Sequence, residues 1–120
     1  MTAVPARAVW QGTRVLVTGH TGFKGSWLCR ALAWLGAEVT GVALDPPAGP
    51  SAFAALGVAE VLAADHRADI RDGAALRALV HAARPQIVLH LAAQAFVGRG
   101  YREPAATFAT NLTGTVNLLE

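Results

Sequence analysis

Several residue types are scarce in this sequence, and each scarcity closes off a class of protein. A single cysteine, Cys29, leaves no internal disulfide framework and implies a reducing compartment. Its neighbours Trp27, Leu28, Ala31 and Leu32 make it a small buried hydrophobe rather than a reactive thiol. No apolar run approaches about 18 residues, so no membrane span is expected. Met1 to Gln11 has no apolar core of the secretory-signal kind, which makes cytoplasm the expected location. Of the 10 basic residues only Lys24 is lysine, and the arginines are spread evenly, without a cluster or stripe. The net charge of +2 therefore does not point to a nucleic-acid partner. His66, His81 and His90 show no metal-ligand spacing with one another or with Cys29, so no metal is expected.

What is abundant is apolar. With 53% hydrophobic and 15% charged residues in a length of 120, the chain reads as one globular domain at most. After an irregular lead-in over residues 1–13, Arg14 to Thr18 (R-V-L-V-T) reads as a buried strand. A glycine-rich turn leads into a helix ending near Leu35, with Leu28, Ala31, Leu32 and Leu35 on its inner face and Gly36 as its C′ residue. Trp10, Trp27 and Trp34 read as packing residues. Glu38 to Leu44 is a second strand, stopped by Asp45-Pro46-Pro47. A loop with a short helical piece, a weak strand near Ala64 to Ala68 and a helix N-capped by Asp72 follow. That helix carries Leu76, Leu79, Val80 and Ala83 on one face, and Pro85 ends it. Gln86 to Leu91 is a fourth strand, and a last helix starts near Pro104 with Phe108, Leu112, Val116 and Leu119 along one face. This order predicts an α/β fold: a Rossmann-type doubly wound parallel sheet, present as its first four strands and their helices only.

The strongest motif is T-G-H-T-G-F-K-G, Thr18 to Gly25, between a strand and a helix. Gly19 permits the tight turn, Gly22 clears the approach of a pyrophosphate to the backbone, and Gly25 lets helix and strand pack closely. The helix N-terminus then offers unpaired N–H groups and a positive dipole end. A triphosphate loop is disfavoured: counted from Gly19, Lys24 stands where that loop needs glycine and Gly25 where it needs lysine. Asp45 lies 20 positions beyond Gly25, at the end of the second strand, where a carboxylate takes the adenosine ribose 2′-hydroxyl and repels a 2′-phosphate. No arginine or lysine is expected near it to welcome NADP. It also reads as an ordinary Asp-Pro turn residue. The loop and Asp45 together favour NAD over NADP as cofactor. Asp69 is placed either to accept from the adenine amino group or to serve as a surface or capping carboxylate. His90-Leu91-Ala92-Ala93-Gln94 follows the fourth strand, where small residues let the backbone approach a cofactor. His20, inside the glycine turn, reads either as a cofactor-side group or as an exposed loop imidazole.

On these motifs the chain resembles the extended short-chain dehydrogenase/reductase family, which begins T-G-x-x-G-x-x-G. V-T-G-H-T-G-F-K-G-S-W (Val17 to Trp27), A-L-D-P-P (Ala43 to Pro47), D-I-R-D (Asp69 to Asp72), H-L-A-A-Q (His90 to Gln94) and Y-R-E-P…F-A-T-N…G-T-V-N-L-L-E (Tyr101 to Glu120) narrow the likeness to its CDP-glucose 4,6-dehydratase branch. The resemblance implies a lyase with bound NAD as transient hydride acceptor, turning CDP-glucose into a 4-keto-6-deoxy sugar nucleotide. It places Gly19, Gly22, Phe23, Lys24 and Gly25 at the pyrophosphate, Asp45 at the ribose, and Asp69 and Ile70 at the adenine. Leu91, Ala92, Ala93 and Gln94 would line the nicotinamide side, with Thr110 and Asn111 nearby. The partners it implies are a nucleotide-sugar substrate and a second copy of the full-length enzyme; the alternatives are a sister dehydratase or 4-epimerase, or a non-catalytic NAD-binding module.

Two departures stand out. Ala95 to Gly100 reads A-F-V-G-R-G where the family carries polar side chains, which alters contacts close to substrate. The family's catalytic Ser/Thr, acidic partner and Tyr-x-x-x-Lys are also missing: the only tyrosine is Tyr101, and position 105 is Ala105. The 120 residues alone are expected to be inactive, as the N-terminal part of a longer enzyme. Codons following Glu120 are expected to run in frame into a Ser/Thr–acidic stretch and a Tyr-x-x-x-Lys, and a stop followed by unrelated sequence would overturn that reading.

Overall fold

The computed structural model describes residues 6–120. Four strands, β1 (Arg14–Thr18), β2 (Glu38–Ala43), β3 (Ala64–Arg67) and β4 (Ile87–His90), form one parallel sheet in the order β3-β2-β1-β4. The order reverses at β1: β2 and β3 are laid down on one side and β4 on the other. The carboxyl ends of β1 and β4 therefore flank the point where the connections part, which opens a crevice there. The sheet is the first part of a Rossmann-type doubly wound fold.

Alternation along β1 divides the core. Val15 and Val17 face one side, with Cys29, Leu32, Val39, Phe53 and Val58. Leu16 faces the other, with Val42, Ile70 and Leu76. The first layer is closed by α2 (Phe23–Trp34) and two short helices, α3 (Ala52–Ala55) and α4 (Val58–Val61). The second is closed by α5 (Gly73–Ala83), with Leu118 of the chain's last helical segment packed beside it. Asp72 caps α5 as expected, accepting from Ala75 N at 3.1 Å. Leu76 is fully buried, and Leu79, Val80 and Ala83 pack around the same cluster.

Four expectations need correction. The lead-in is not irregular throughout: Ala6–Trp10 form helix α1, while residues 1–5 lie outside the described residues. The inner face of α2 is rotated from the expected stripe. Gly25, Ser26, Cys29 and Leu32 are buried and Ala31 is exposed, because the helix must seat Gly25 against the turn that precedes it. Trp27 and Trp34 consequently point to solvent, 54% and 69% exposed, and Trp34 receives the Arg7 guanidinium over its ring at 5.0 Å. Trp10 alone of the three packs against the core. Between β4 and Pro104 the structure also has a helix that periodicity did not announce, α6 (Val97–Arg102). Gly98 and Gly100 within it lower helix propensity and masked it.

The final helix is built of α7 (Pro104–Phe108), a π-helical turn (Ala109–Thr113) and α8 (Gly114–Leu119). Gly114 is required by contact. A Cβ there would fall on the Ile70 side chain, so the helix rests directly on the segment after β3. The Phe108, Leu112, Val116 and Leu119 stripe faces away from this contact and is exposed.

Candidate functional site

A cleft of about 450 Å³ opens at the carboxyl edge of the sheet. Its floor is the turn after β1 and its walls are the segments after β2, β3 and β4, with Gly22, Leu44, Asp69, Ile70, Ala92 and Thr110 among the lining residues. Arg14, Glu38 and Pro85 help line a second cavity at the opposite edge; it measures only about 50 Å³.

Gly19 turns the chain out of β1 at φ +78°, a conformation that favours glycine. A Cβ there would also lie 2.7 Å from Ala92 N, so the β1 turn and the β4 turn touch backbone to backbone. A Cβ on Gly25 would overlap Gly19 O, which seats the first turn of α2 on the same spot. Gly22 differs. Its φ is −80°, open to any residue, and a Cβ there would meet only Gly19 O, at 3.4 Å. Neither backbone nor packing asks for glycine at 22. Gly22 is also the N-cap of α2, and no side chain caps that helix, so its first N–H groups are free to meet an anion. The donor set fits the pyrophosphate of a dinucleotide.

Hydrogen bonds hold the β4 side of the cleft. Thr18 Oγ1 accepts from Leu91 N and Ala92 N, each at 3.1 Å, and lies 2.6 Å from His90 Nδ1. With both acceptor positions of the hydroxyl filled, Thr18 donates its own proton to Nδ1. His90 therefore carries its proton on Nε2, which donates to Thr115 Oγ1 at 3.0 Å. Thr115 passes the chain on to Asn111 O at 2.7 Å. Asn111 in turn clamps the backbone of Gln94, accepting from its N at 2.7 Å and donating to its O at 3.0 Å. Thr18 and Thr115, which sequence reasoning did not single out, thus tie β1, β4 and the last helix into one frame. Partial burial lowers the His90 pKa below its ordinary value, in keeping with a neutral ring.

His20 overturns both sequence alternatives. It is neither beside the cleft nor exposed; it is fully buried. Its ring covers Gly41 in the middle of β2, where a Cβ would overlap it, and meets the Phe53 ring edge-on at 5.8 Å. Its Nε2 donates to Asp65 Oδ1 at 2.7 Å. Burial drives the His20 pKa below 6.5 despite the Asp65 hydrogen bond, so the ring is neutral. Burial pushes Asp65 upward, but hydrogen bonds from His20 and Arg67 outweigh it and hold the carboxyl below its ordinary range. Burial also raises the Cys29 thiol to about 12, which makes it inert, as expected.

The other predicted site residues divide by position. Gly19, Gly22, Asp69, Ile70, Leu91, Ala92, Ala93, Gln94 and Thr110 line the cleft. Asp69 is paired with Arg71, Nη2 to Oδ2 at 2.6 Å, and this bond lowers its pKa. Thr110 and Asn111 fall in the π-helical turn, a distortion that often accompanies functional positions. Gly25 is buried beneath the turn, and Phe23 and Lys24 are exposed on α2, outside the cleft lining. Asp45 is on the rim, between the lining residues Leu44 and Pro47, with its side chain 87% exposed. The expectation that no basic residue stands near it fails: Arg67 Nε donates to Asp45 Oδ1 at 3.2 Å. Parallel pairing of β2 with β3 brings in a residue 22 positions away. Thr21 was also missed; it is buried and donates to Leu44 O at 2.8 Å, joining the glycine turn to the end of β2. Among the described residues no helix is long and apolar enough to cross a membrane, and no group of acidic, histidine or cysteine side chains could hold a metal.

A family model for the NAD dependent epimerase/dehydratase family matches residues 15–120. The chain belongs to that family. Its cofactor is NAD. A CDP-glucose 4,6-dehydratase of Salmonella typhimurium is 50% identical over 111 residues, covering 92% of this chain and 31% of that protein. A UDP-glucose 4-epimerase of Rhizobium meliloti is 34% identical, over 91% of this chain and 31% of its own length. The solved structure of a UDP-glucose-4-epimerase from Stenotrophomonas maltophila, with bound NAD and formylated UDP-arabinopyranose, superposes with a TM-score of 0.75 at 33% identity. That likeness covers 89% of this chain and 32% of the other. The chain thus spans about a third of the length of the relatives it matches.

Neutral burial of His20 and His90 makes stability depend on pH. For a histidine whose folded pKa is depressed, the unfolded chain takes up the proton first as pH falls below about 6.5. Its contribution is complete above that value and is lost below it. Thermal melts should show Tm level from about pH 8 to 7 and falling toward pH 5; a Tm that rises on acidification contradicts the buried neutral rings.

Proposed function

We propose that this chain is the NAD-binding portion of a sugar-nucleotide 4,6-dehydratase, a carbon–oxygen lyase that converts CDP-glucose to CDP-4-keto-6-deoxyglucose. Gly22 carries the cofactor part of the reading. Gly19 and Gly25 are explained by the protein's own contacts, whereas Gly22 is explained only by a ligand that must come close to the uncapped start of α2. The substrate part rests on identity: 50% with the CDP-glucose enzyme against 34% with the Rhizobium epimerase. When bound, NAD would supply a reversible hydride acceptor, so that the net change in the hexose is the loss of one water across C5 and C6 with oxidation at C4 and reduction at C6.

The chain's own residues bind and orient. The first turn of α2, with Phe23 and Lys24, faces the pyrophosphate through its N–H groups, and Gly22 keeps the path clear. Asp45 accepts from the adenosine ribose, and Asp69 and Ile70 border the adenine. Leu91, Ala92, Ala93 and Gln94, held by the Thr18 and Asn111 hydrogen bonds, wall the nicotinamide side, with Thr110 beside them. Proton transfer to and from the sugar belongs to residues beyond these 120, so this chain alone binds without turning over. The full-length product acts on its nucleotide sugar in the cytoplasm as a homo-oligomer.

Two experiments test the reading. Gly22→Ala is expected to change Tm little, since its Cβ would make a single contact, with Gly19 O at 3.4 Å, yet to weaken NAD binding about tenfold or more by calorimetric titration. Unchanged affinity would remove the main support for the pyrophosphate site. The full-length product incubated with CDP-glucose, UDP-glucose and dTDP-glucose should form a 4-keto-6-deoxy product, seen by NMR, from CDP-glucose preferentially. Interconversion of UDP-glucose and UDP-galactose without dehydration would move the assignment to a 4-epimerase.

A further inference from the structure

The guanidinium of Arg67 lies between two carboxylates at the rim of the cleft. Nη1 is hydrogen-bonded to Asp65, and Nε donates to Asp45 Oδ1 at 3.2 Å. Its flat face rests on the Phe53 ring, 5.1 Å from the centroid, so the side chain is supported from below as well as from both ends. Arg67 ends β3 beside Ala43 of β2, two residues before Asp45, and the next residue, Ala68, lines the cleft with Leu44 and Pro47. With His20 neutral, this corner holds two negative charges against one positive charge.

We propose that Arg67 is a latent receptor for a ribose 2′-phosphate, silenced by Asp45. The inference rests on the reading that the cleft takes a dinucleotide with its adenosine ribose at the end of β2. In the native chain the Nε–H edge of Arg67 is spent on the Asp45 carboxylate, and that carboxylate repels a 2′-phosphate entering the same space. Selection against NADP is therefore the work of a pair, one residue on each of two adjacent strands. Removing the Asp45 charge does more than end a repulsion. It releases a guanidinium already ordered by Asp65 and Phe53, and a planar guanidinium is well suited to bind phosphate.

The test compares NAD and NADP dissociation constants for the full-length protein and its Asp45→Asn and Asp45→Asn/Arg67→Met variants. Asp45 is exposed, so its replacement does not threaten the fold, and methionine preserves the apolar contact with Phe53. Asp45→Asn should gain about tenfold or more in NADP affinity, and the double variant should lose that gain. If the double variant destabilises the fold, the single variant still decides: its own NADP dissociation constant should rise steeply between about 50 and 500 mM salt while its NAD dissociation constant changes much less, as a guanidinium on the added phosphate requires. Equal NADP affinity in the single and double variants, no gain in Asp45→Asn, or a gain insensitive to salt would overturn the proposal. Failure of the native protein to bind NAD in the same titration would instead overturn the cofactor reading on which it rests.

Discussion

The carboxyl end of β1 leaves no room for one methyl group. Gly19, Gly25 and the backbone of Ala92 meet there so closely that a Cβ on either glycine would overlap its neighbours. This contact sets the height of α2 over the sheet, the register at which the turn after β4 crosses β1, and the mouth of the cleft between them. It also explains the rotation of α2: once Gly25 must face the turn, Cys29 and Leu32 follow it inward one and two turns later, and Trp27 is carried outward. The apolar stripe of a helix decides its inward face only when no backbone contact decides it first.

On either side of that contact the chain uses buried imidazoles to join elements distant in sequence. His90 links β1 to the last helix through two threonines, and His20 links the glycine turn to β2, β3 and α3. Both are neutral; His90 meets a threonine at each ring nitrogen, whereas His20 shares Asp65 with Arg67 through Nε2 and its buried Nδ1 has no hydrogen-bond partner among the described residues. Hydrogen bonds within the chain hold the glycine turn in place: Thr21 bonds to Leu44 O, Ser26 to Gly22 O, and His20 anchors it from beneath. A preorganised turn spends less of its binding energy on ordering.

Much of this was legible in the sequence, and the reason is physical. Continuous apolar strands, a strand–glycine turn–helix passage and Asp72 as a cap are local signals, and local signals survive in a single sequence. What was not legible depends on β2 lying between β1 and β3. Gly41 inside a strand is the one clue that something presses on it, yet nothing in sequence says that the presser is His20. Arg67 looked remote from Asp45 for the same cause; parallel pairing sets Arg67 beside Ala43 and so within reach. Helix α6 was hidden by its two glycines, and its exposure leaves it no apolar period to read.

The three glycines of the turn show how far a motif can be taken apart by structure. A pattern of three treats its members alike, but two of them satisfy the chain's own geometry and would be needed in a protein with the same close turn and no ligand at all. Only Gly22 has its side chain removed for no internal reason. On the reading proposed above, the functional content of the motif resides in one residue and in the uncapped helix start it exposes, and a variant of Gly19 or Gly25 that fails to bind cofactor says more about folding than about the site. The same division applies at the rim. Asp69 and Arg71 answer each other within one turn of chain, whereas Asp45 and Arg67 are brought together only by the sheet. The second pair exists because the fold exists, and so a preference expressed through it is a property of the tertiary structure rather than of the β2 turn alone.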